Sequence, residues 1–150
     1  MMDKALPESR PIAELAALEP ESLYLFVLGP GEGEALAVAL PESCGWLLID
    51  GCRSGDRGIG LIDVLERWRR GDEPILLYAL THPHADHAKG IVELVEEYGH
   101  AIRAVAVTPP WNAMAAPAAI TSRQVVARQV VRGLQALDRL CTRGALRIDL

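Results

Sequence analysis

The stretch PILLYALTHPHADHAKG, residues 74–90, joins a continuous apolar run to a cluster of histidines. Residues 74–80 have the length and composition of a strand that is covered on both faces. Pro83 disfavours a helix at the preceding residue, so His82 is expected to be extended. An amphipathic helix is then predicted to begin at His87 and to stop at Gly99, with its apolar face formed by Ile91, Leu94, Val95 and Tyr98.

Apolar runs and turns on both sides extend this unit into a sheet. Three short runs upstream, separated by turns such as GPGEGE (29–34), predict an antiparallel meander, with strands at 22–28, 35–40 and 46–50. Helices and strands then alternate: a helix at 58–70, a strand at 101–107, a long helix capped by Thr121 or Ser122, and a strand at 145–150. This order predicts an α/β fold, a mixed sheet with helices covering at least one face.

Length and composition restrict the class of protein. The 150 residues suffice for one domain, and we divide them into an N-terminal arm (1–21) and a folded domain (22–150). No basic start precedes an apolar run, and no stretch approaches the ~20 apolar residues of a membrane span. The three cysteines show no CxxC spacing. We therefore expect a cytoplasmic location and no membrane contact within this segment.

The histidine cluster carries the residues that transition metals prefer. In an extended segment residues two apart point the same way, so His82 and His84 can meet one ion. Asp86 and His87 enter the next helix, where the direction of projection changes, and can serve a second ion. Imidazole suits zinc, iron and manganese, and a carboxylate compensates charge. The spacing predicts a site for two neighbouring ions of zinc, iron or manganese.

The same residues resemble a known family. THPHADHAKG after an apolar strand resembles the HxHxDH signature of the metallo-β-lactamase fold, and LLIDG (47–51) resembles the strand of that family that ends in an aspartate. FVLGPGEGEALAV (26–38) is similar to the opening hairpin in the hydrolase domain of DNA-uptake competence proteins. The resemblance implies an αβ/βα sandwich that holds its metals at one edge, between two similar halves.

The resemblance also implies roles for single residues. His82 and His84 would bind the first metal, and Asp86 and His87 the second, while Asp50 would orient ligands from behind. The family needs another histidine, a bridging aspartate and a last histidine further along. The only other histidine here, His100, is interpreted as a surface turn residue. We therefore expect the N-terminal half of a sandwich, incomplete at its C-terminus, with an open apolar face and little activity alone. The rest of a longer chain or a completing subunit would be its partner.

The completed site would be a metal-dependent hydrolase. Two ions ~3.5–4 Å apart lower the pKa of a shared water, so that a metal-bound hydroxide attacks an ester, amide or phosphodiester. Asp86 is the predicted catalytic residue among the ligands. Cys52 either approaches the metals or is a small turn residue.

Residues 121–150 carry six basic and two acidic side chains, against 9 and 18 before them. Four of these bases, Arg128, Arg132, Arg139 and Arg143, form a stripe on the long helix. The stripe is a solvated face, a contact with acidic parts of the same protein, or a contact for nucleic acid. The stripe and the competence-protein resemblance favour a nuclease or phosphodiesterase. The alternative is a non-catalytic binding or sensor module with the same fold.

Overall fold

The computed structural model describes residues 11–29, 34–51, 59–107 and 125–149. Six strands are present in these ranges: β1 (Tyr24–Leu28), β2 (Ala35–Ala39), β3 (Trp46–Ile49), β4 (Ile75–Leu80), β5 (Ala104–Val107) and β6 (Leu146–Asp149). The helices are α1 (Leu61–Trp68), α2 (Ala85–Ala88), α3 (Ile91–Tyr98) and α4 (Val125–Thr142). Short 3-10 turns lie at Ile12–Glu14, Pro41–Ser43 and Gly99–Ala101.

The strands form one mixed sheet in the order β1-β2-β3-β4-β5-β6. β1, β2 and β3 pair antiparallel, which confirms the predicted meander. From β3 onward the pairs are parallel, and a helical crossover joins each strand to the next. Such crossovers share one hand, so strands that follow one another in one direction place their helices on the same face. The predicted mixed sheet with covering helices is confirmed.

The core lies between this helical face and the sheet. Alternate strand residues point into it, including Phe26, Trp46, Leu48 and Tyr78, which are at most 4% exposed. The Phe26 ring lies 6.0 Å from that of Trp46 and 5.0 Å from that of Trp68 on α1. The helices contribute their apolar stripes: Leu61, Val64 and Leu65 from α1, Ile91 and Leu94 from α3, and Leu137 and Leu140 from α4. Burial of these large side chains is the main stabilising contribution to the fold.

The opposite face of the sheet is apolar and exposed in the described ranges. On β1, Leu25 and Val27 are 57% and 67% exposed, and on β6 Leu146 is 64% exposed. Between these edges the same face carries half-buried aliphatic side chains, namely Leu36, Val38, Leu47 and Ile49. The expected open apolar face is therefore present. Exposed apolar surfaces of this kind mark protein or membrane interaction sites, ligand-binding grooves or aggregation liabilities.

The structure corrects three predictions about single elements. The strand at 74–80 is not covered on both faces, because Leu76 lies on the open side and is 37% exposed. The helix predicted from His87 is two helices: α2 ends at Ala88, and Gly90 with φ 87° separates it from α3. The strand predicted from residue 101 begins at Ala104, after a 3-10 turn.

Some predictions lie outside the described residues, namely those on Cys52, the helix cap at Thr121 or Ser122 and most of the turn at 29–34.

The described part of the N-terminal arm lies against α1. Ile12, Leu15 and Leu18 pack on the core. The guanidinium groups of Arg67 and Arg70 donate to the backbone carbonyls of Leu15 and Leu18, each at 3.2 Å. Among the described helices, none combines the length and the apolar composition that crossing a bilayer requires.

Candidate metal centre

The site begins where β3 and β4 end side by side. These strands are adjacent and parallel, so their carboxyl ends bring Asp50 next to Thr81. The Asp50 backbone N–H donates to the Ala79 carbonyl at 2.7 Å and continues the ladder by one residue. The chain then turns, and Asp50 has φ 57°, a left-handed conformation that aspartate tolerates better than most residues. Its carboxylate is thereby directed into the protein.

Asp50 is the one buried charged residue in the described ranges, at 5% exposure. A buried carboxylate is stable only when hydrogen bonds replace its water. Thr81 supplies two: its backbone N–H donates to Oδ1 and its hydroxyl to Oδ2, each at 2.7 Å. His87 supplies a third, with Nδ1 at 2.9 Å from Oδ2. The aspartate thus ties the loop after β4 to the first turn of α2.

These contacts determine which tautomer two neutral imidazoles adopt. A carboxylate only accepts, so the hydrogen between Asp50 and His87 belongs to His87 Nδ1. The single Thr81 hydroxyl hydrogen is given to Asp50, so Thr81 Oγ1 must accept from His82 Nδ1, 2.9 Å away. In the neutral ring the other nitrogen is then unprotonated. When neutral, His82 and His87 therefore each offer an Nε2 lone pair, the form in which imidazole binds metals.

The side chains of the histidine cluster lie close together. The ring centroids of His82 and His87 are 3.7 Å apart, and those of His82 and His84 are 4.8 Å apart. Asp86 Oδ2 lies 3.4 Å from His87 Nε2, and its side chain is 47% exposed. His84, which precedes α2, is also exposed. The four predicted ligands and Asp50 thus meet at one edge of the sheet, with the exposed pair on the solvent side.

Backbone contacts hold α2 against the end of β3. The Gly51 N–H donates to the His87 carbonyl at 2.6 Å, and Gly51 forms a parallel bridge with Ala88. A Cβ on Gly51 would lie 2.8 Å from the Lys89 carbonyl oxygen, so only glycine permits this approach. On its other side the segment packs on α4, where a Cβ on Gly133 would lie 3.7 Å from the Ala88 carbonyl oxygen. The histidine-bearing turn is therefore clamped from both sides.

Tyr78 lies beneath the site and is fully buried. Its hydroxyl has no hydrogen-bond partner among the described residues. Burial, and then the negative charge of Asp50, raise the pKa of Tyr78 well above its usual value. The phenol is therefore neutral at any working pH and adds no charge to the site.

The side chains of the cluster are of the types that bind transition metals, but they are not arranged around a common point. Zinc centres typically contain imidazoles that offer one unprotonated nitrogen to the metal and donate the other N–H to a carboxylate. As they stand, however, no three His, Cys, Asp or Glu side chains of the described ranges are arranged to hold one ion. The His82 and His87 rings are tilted by 48° relative to each other, with their centroids 3.7 Å apart. Further ligands or small rotations are needed to close a coordination sphere.

Sequence reasoning missed Thr81, whose side chain determines the tautomer of His82 through Asp50. The signal was available, since a hydroxyl residue directly before His82 can reach the end of the neighbouring strand. His100 is exposed in a 3-10 turn near the amino end of β5, away from the carboxyl ends that carry the site. It is a surface turn residue, as predicted.

Comparison with known proteins identifies the family of the chain. A search of curated proteins finds no match. A protein-family model described as the metallo-beta-lactamase superfamily matches residues 31–139, which is more than half of the chain. That range contains the second to the fifth strand, the histidine cluster and most of α4. The chain therefore belongs to the metallo-beta-lactamase superfamily.

Proposed function

We propose that this chain is the metal-binding part of a zinc-dependent hydrolase that acts on phosphodiesters, as a nuclease or phosphodiesterase does. Its superfamily consists generally of metal-dependent hydrolases, typically with zinc. The single observation that supports metal binding here is the Asp50–Thr81 pair, which in the neutral rings of His82 and His87 places the hydrogen on Nδ1 and leaves Nε2 free.

The residues have distinct tasks in this proposal. His82 and His84 would hold one ion, Asp86 and His87 a second. When bound, the metal supplies a Lewis acid that polarises the scissile group and lowers the pKa of water. Asp86 is our candidate catalytic residue, because its carboxylate is 47% exposed beside His87 and can accept a proton at the solvent edge. Asp50 is a positioning residue that keeps a proton on His87 Nδ1.

We further propose that a second protein layer, from the rest of a longer chain or from another subunit, covers the open sheet face. Two sheets pack about 10 Å apart with their apolar faces together. Such a layer would lie next to the histidine edge and could contribute the ligands that complete the site. A cytoplasmic location fits the exposed thiol of Cys44, because exposed thiols persist in reducing compartments.

The experiment that tests metal binding is a zinc titration. In calorimetry the 150-residue chain should bind zinc weakly, because two protein ligands per ion are fewer than the three of usual catalytic sites. His84→Ala should lower the zinc affinity by about 10–100-fold or more. Loss of a residue that hydrogen-bonds to a ligand typically costs this much, and loss of the ligand itself costs at least as much. His100→Ala, on an exposed turn, is the matched control and should bind zinc unchanged.

Hydrolysis is measured separately, in the protein that includes the covering layer. Zinc-dependent cleavage of bis-p-nitrophenyl phosphate, DNA and RNA should fall in His84→Ala, by the same factor for each of the three substrates. It should not fall in His100→Ala. Equal activity in all three proteins would remove His84 from the mechanism. Tight binding of two zinc ions by the 150-residue chain alone would show that the site needs no further ligands.

A second candidate is a non-catalytic binding or sensor module. The observation in its favour is that no three potential ligands within the described ranges are arranged around one ion. This candidate predicts zinc-independent binding of a partner and no hydrolysis in the longer protein, so the cleavage assay above decides between the two.

The open face leads to a prediction about association. Sedimentation velocity of the 150-residue chain should show concentration-dependent self-association, because Leu25 and Val27 are exposed beside further aliphatic residues. Val27→Lys should shift the distribution toward monomer. Gln135→Lys adds the same charge on the exposed side of α4 and should have no such effect. A stable monomer at every concentration would contradict the proposed covering layer.

A further inference from the structure

The outer side of α4 carries a line of positive charge. Arg128, Arg132 and Arg139 on α4, and Arg143 directly after its last residue, are all exposed. They recur at offsets of 4, 7 and 4 residues, which on a helix keeps them within about 60° of one another. We call these four residues the arginine stripe. It extends for about 22 Å at 1.5 Å per residue. The only acidic residue on α4 is Asp138.

No side chain of the arginine stripe is paired with a counter-charge in the described part of the chain. None of its four side chains takes part in an ion pair or hydrogen bond there, although the neighbouring α3 exposes Glu93, Glu96 and Glu97. Like charges four residues apart, as in Arg128 and Arg132, destabilise a helix by about 0.2–0.5 kcal/mol per pair. The stripe therefore costs stability in the free chain, and an external anion would relieve that cost.

The position of α4 relates the stripe to the metal centre. α4 connects the parallel strands β5 and β6, so it begins at the sheet edge that carries the histidine cluster and runs back along the sheet. Gly133 packs on the segment from Ala88 to Ile91. The stripe thus starts with Arg128 and Arg132 beside the α2 turn and leads away from it over the outer surface.

The chemistry of the stripe favours a chain of phosphates. Guanidinium groups bind phosphate through two parallel hydrogen bonds, and all four positions are arginine, not lysine. A lipid bilayer is the weaker fit. An amphipathic helix binds membranes by inserting its apolar face, and the apolar face of α4 is already buried in the core through Val131, Leu137 and Leu140.

We propose that the arginine stripe binds the phosphodiester backbone of a nucleic acid strand and leads it toward the metal centre. This inference deepens the proposed function, because it names nucleic acid as the substrate class, yet the binding itself requires no metal. The net charge of −5 opposes the approach of a polyanion, so binding is moderate in affinity and strongly salt-dependent.

The test is fluorescence anisotropy with a labelled 20-nucleotide single strand and the matching duplex, in EDTA, from 25 to 200 mM salt. Each phosphate contact contributes about −0.7 to the slope of log K against log salt for a single strand and about −0.9 for a duplex. The double variant Arg132→Ala/Arg139→Ala should therefore flatten the slope by about 1.4 or 1.8 and weaken binding at least tenfold in low salt. Arg103→Ala removes an exposed arginine near the amino end of β5. It should change the slope by less than the amount that one phosphate contact contributes.

Several outcomes overturn the proposal: no binding by the unmodified chain, an unchanged slope in the double variant, or the same loss in Arg103→Ala. Stronger stripe-dependent binding to phosphatidylserine vesicles than to either nucleic acid would also overturn it. Circular dichroism checks that the double variant keeps its helix content. Cleavage of bis-p-nitrophenyl phosphate by the longer protein should be equal with and without Arg103→Ala, which lies outside the stripe. If the chain binds DNA but that cleavage is absent in every variant, the stripe proposal stands while the hydrolase proposal fails.

Discussion

Replacing Asp50 by asparagine should lower zinc affinity by about 10–100-fold while leaving the fold largely intact. The amide must keep its oxygen toward the Thr81 backbone N–H, which is 2.7 Å away and can only donate. Its NH₂ group then faces Thr81 Oγ1 and His87 Nδ1, both of which must become acceptors. The proton of His87 moves to Nε2. The Thr81 hydroxyl is released to donate to His82 Nδ1, so the proton of His82 moves to Nε2 as well.

One atom exchanged at Asp50 thus blocks both nitrogens that the site offers to a metal. Calorimetric zinc titration measures the loss, and ¹⁵N chemical shifts of the imidazoles report the change of tautomer directly. Asparagine also tolerates the left-handed backbone at this position, φ 57°. The free energy of unfolding, measured by urea denaturation, should therefore change by no more than about 1 kcal/mol. Unchanged zinc affinity in a folded Asp50→Asn protein would refute the tautomer argument.

Asp50→Ala separates support of the fold from control of the tautomers. Alanine leaves the Thr81 N–H, the Thr81 hydroxyl and the His87 Nδ1–H without their acceptor beside a site that is 5% exposed. Each buried donor left unsatisfied costs about 1–3 kcal/mol, partly recovered here because Thr81 borders solvent. Alanine is also less tolerant of the left-handed conformation, by about 1 kcal/mol. The total expected loss of unfolding free energy is about 3 kcal/mol.

The second large effect is expected from Gly51→Ala. The new methyl would lie 2.8 Å from the Lys89 carbonyl oxygen and 3.3 Å from that of His87, and both are backbone atoms. Overpacking of this kind costs about 1–3 kcal/mol. The strain is relieved only if α2 moves away from β3, which breaks the 2.6 Å hydrogen bond from Gly51 to the His87 carbonyl and carries the His87 ring off Asp50. Zinc affinity should therefore fall together with stability.

Gly133→Ala is the matched control on the opposite side of the same segment. Its methyl would meet the Ile91 Cδ1 atom at 3.4 Å and the Ala88 carbonyl oxygen at 3.7 Å, which are contacts of ordinary length. In the middle of α4 the change from glycine to alanine should stabilise the protein by up to about 1 kcal/mol. Chemical denaturation should show a loss of stability in Gly51→Ala and a gain in Gly133→Ala, and zinc titration of both variants measures the effect on affinity. A Gly51→Ala protein as stable as the unmodified chain, with unchanged zinc affinity, would contradict the clamp on α2.

The sequence predicted the strands, and the proximity of the candidate ligands, well where the signal was local. Apolar runs located β1, β3 and β4, and the periodicity of Leu61, Leu65 and Trp68 located α1. The ligand cluster was predictable because His82, His84, Asp86 and His87 lie within six positions of one another. Asp50 came from the family resemblance, and its contact with His87 spans 37 residues.

The features that the sequence did not reveal depend on contacts between distant segments. The break between α2 and α3 at Gly90 interrupts a pattern whose apolar positions begin only at Ile91, so periodicity alone could not locate it. The clamp on Gly51 arises from its approach to Lys89, which no local preference encodes. The exposure of Leu76 depends on which face of the sheet is covered, whereas a continuous apolar run reads the same in either case.

The strand order has a consequence for synthesis on the ribosome. Each strand pairs with the one that precedes it in the chain, from the first hairpin to the last crossover. A nascent chain can therefore extend the sheet one strand at a time as it emerges, without waiting for a distant partner. During synthesis one face of the growing sheet remains apolar and exposed to solvent, and we expect chaperones to bind to this face.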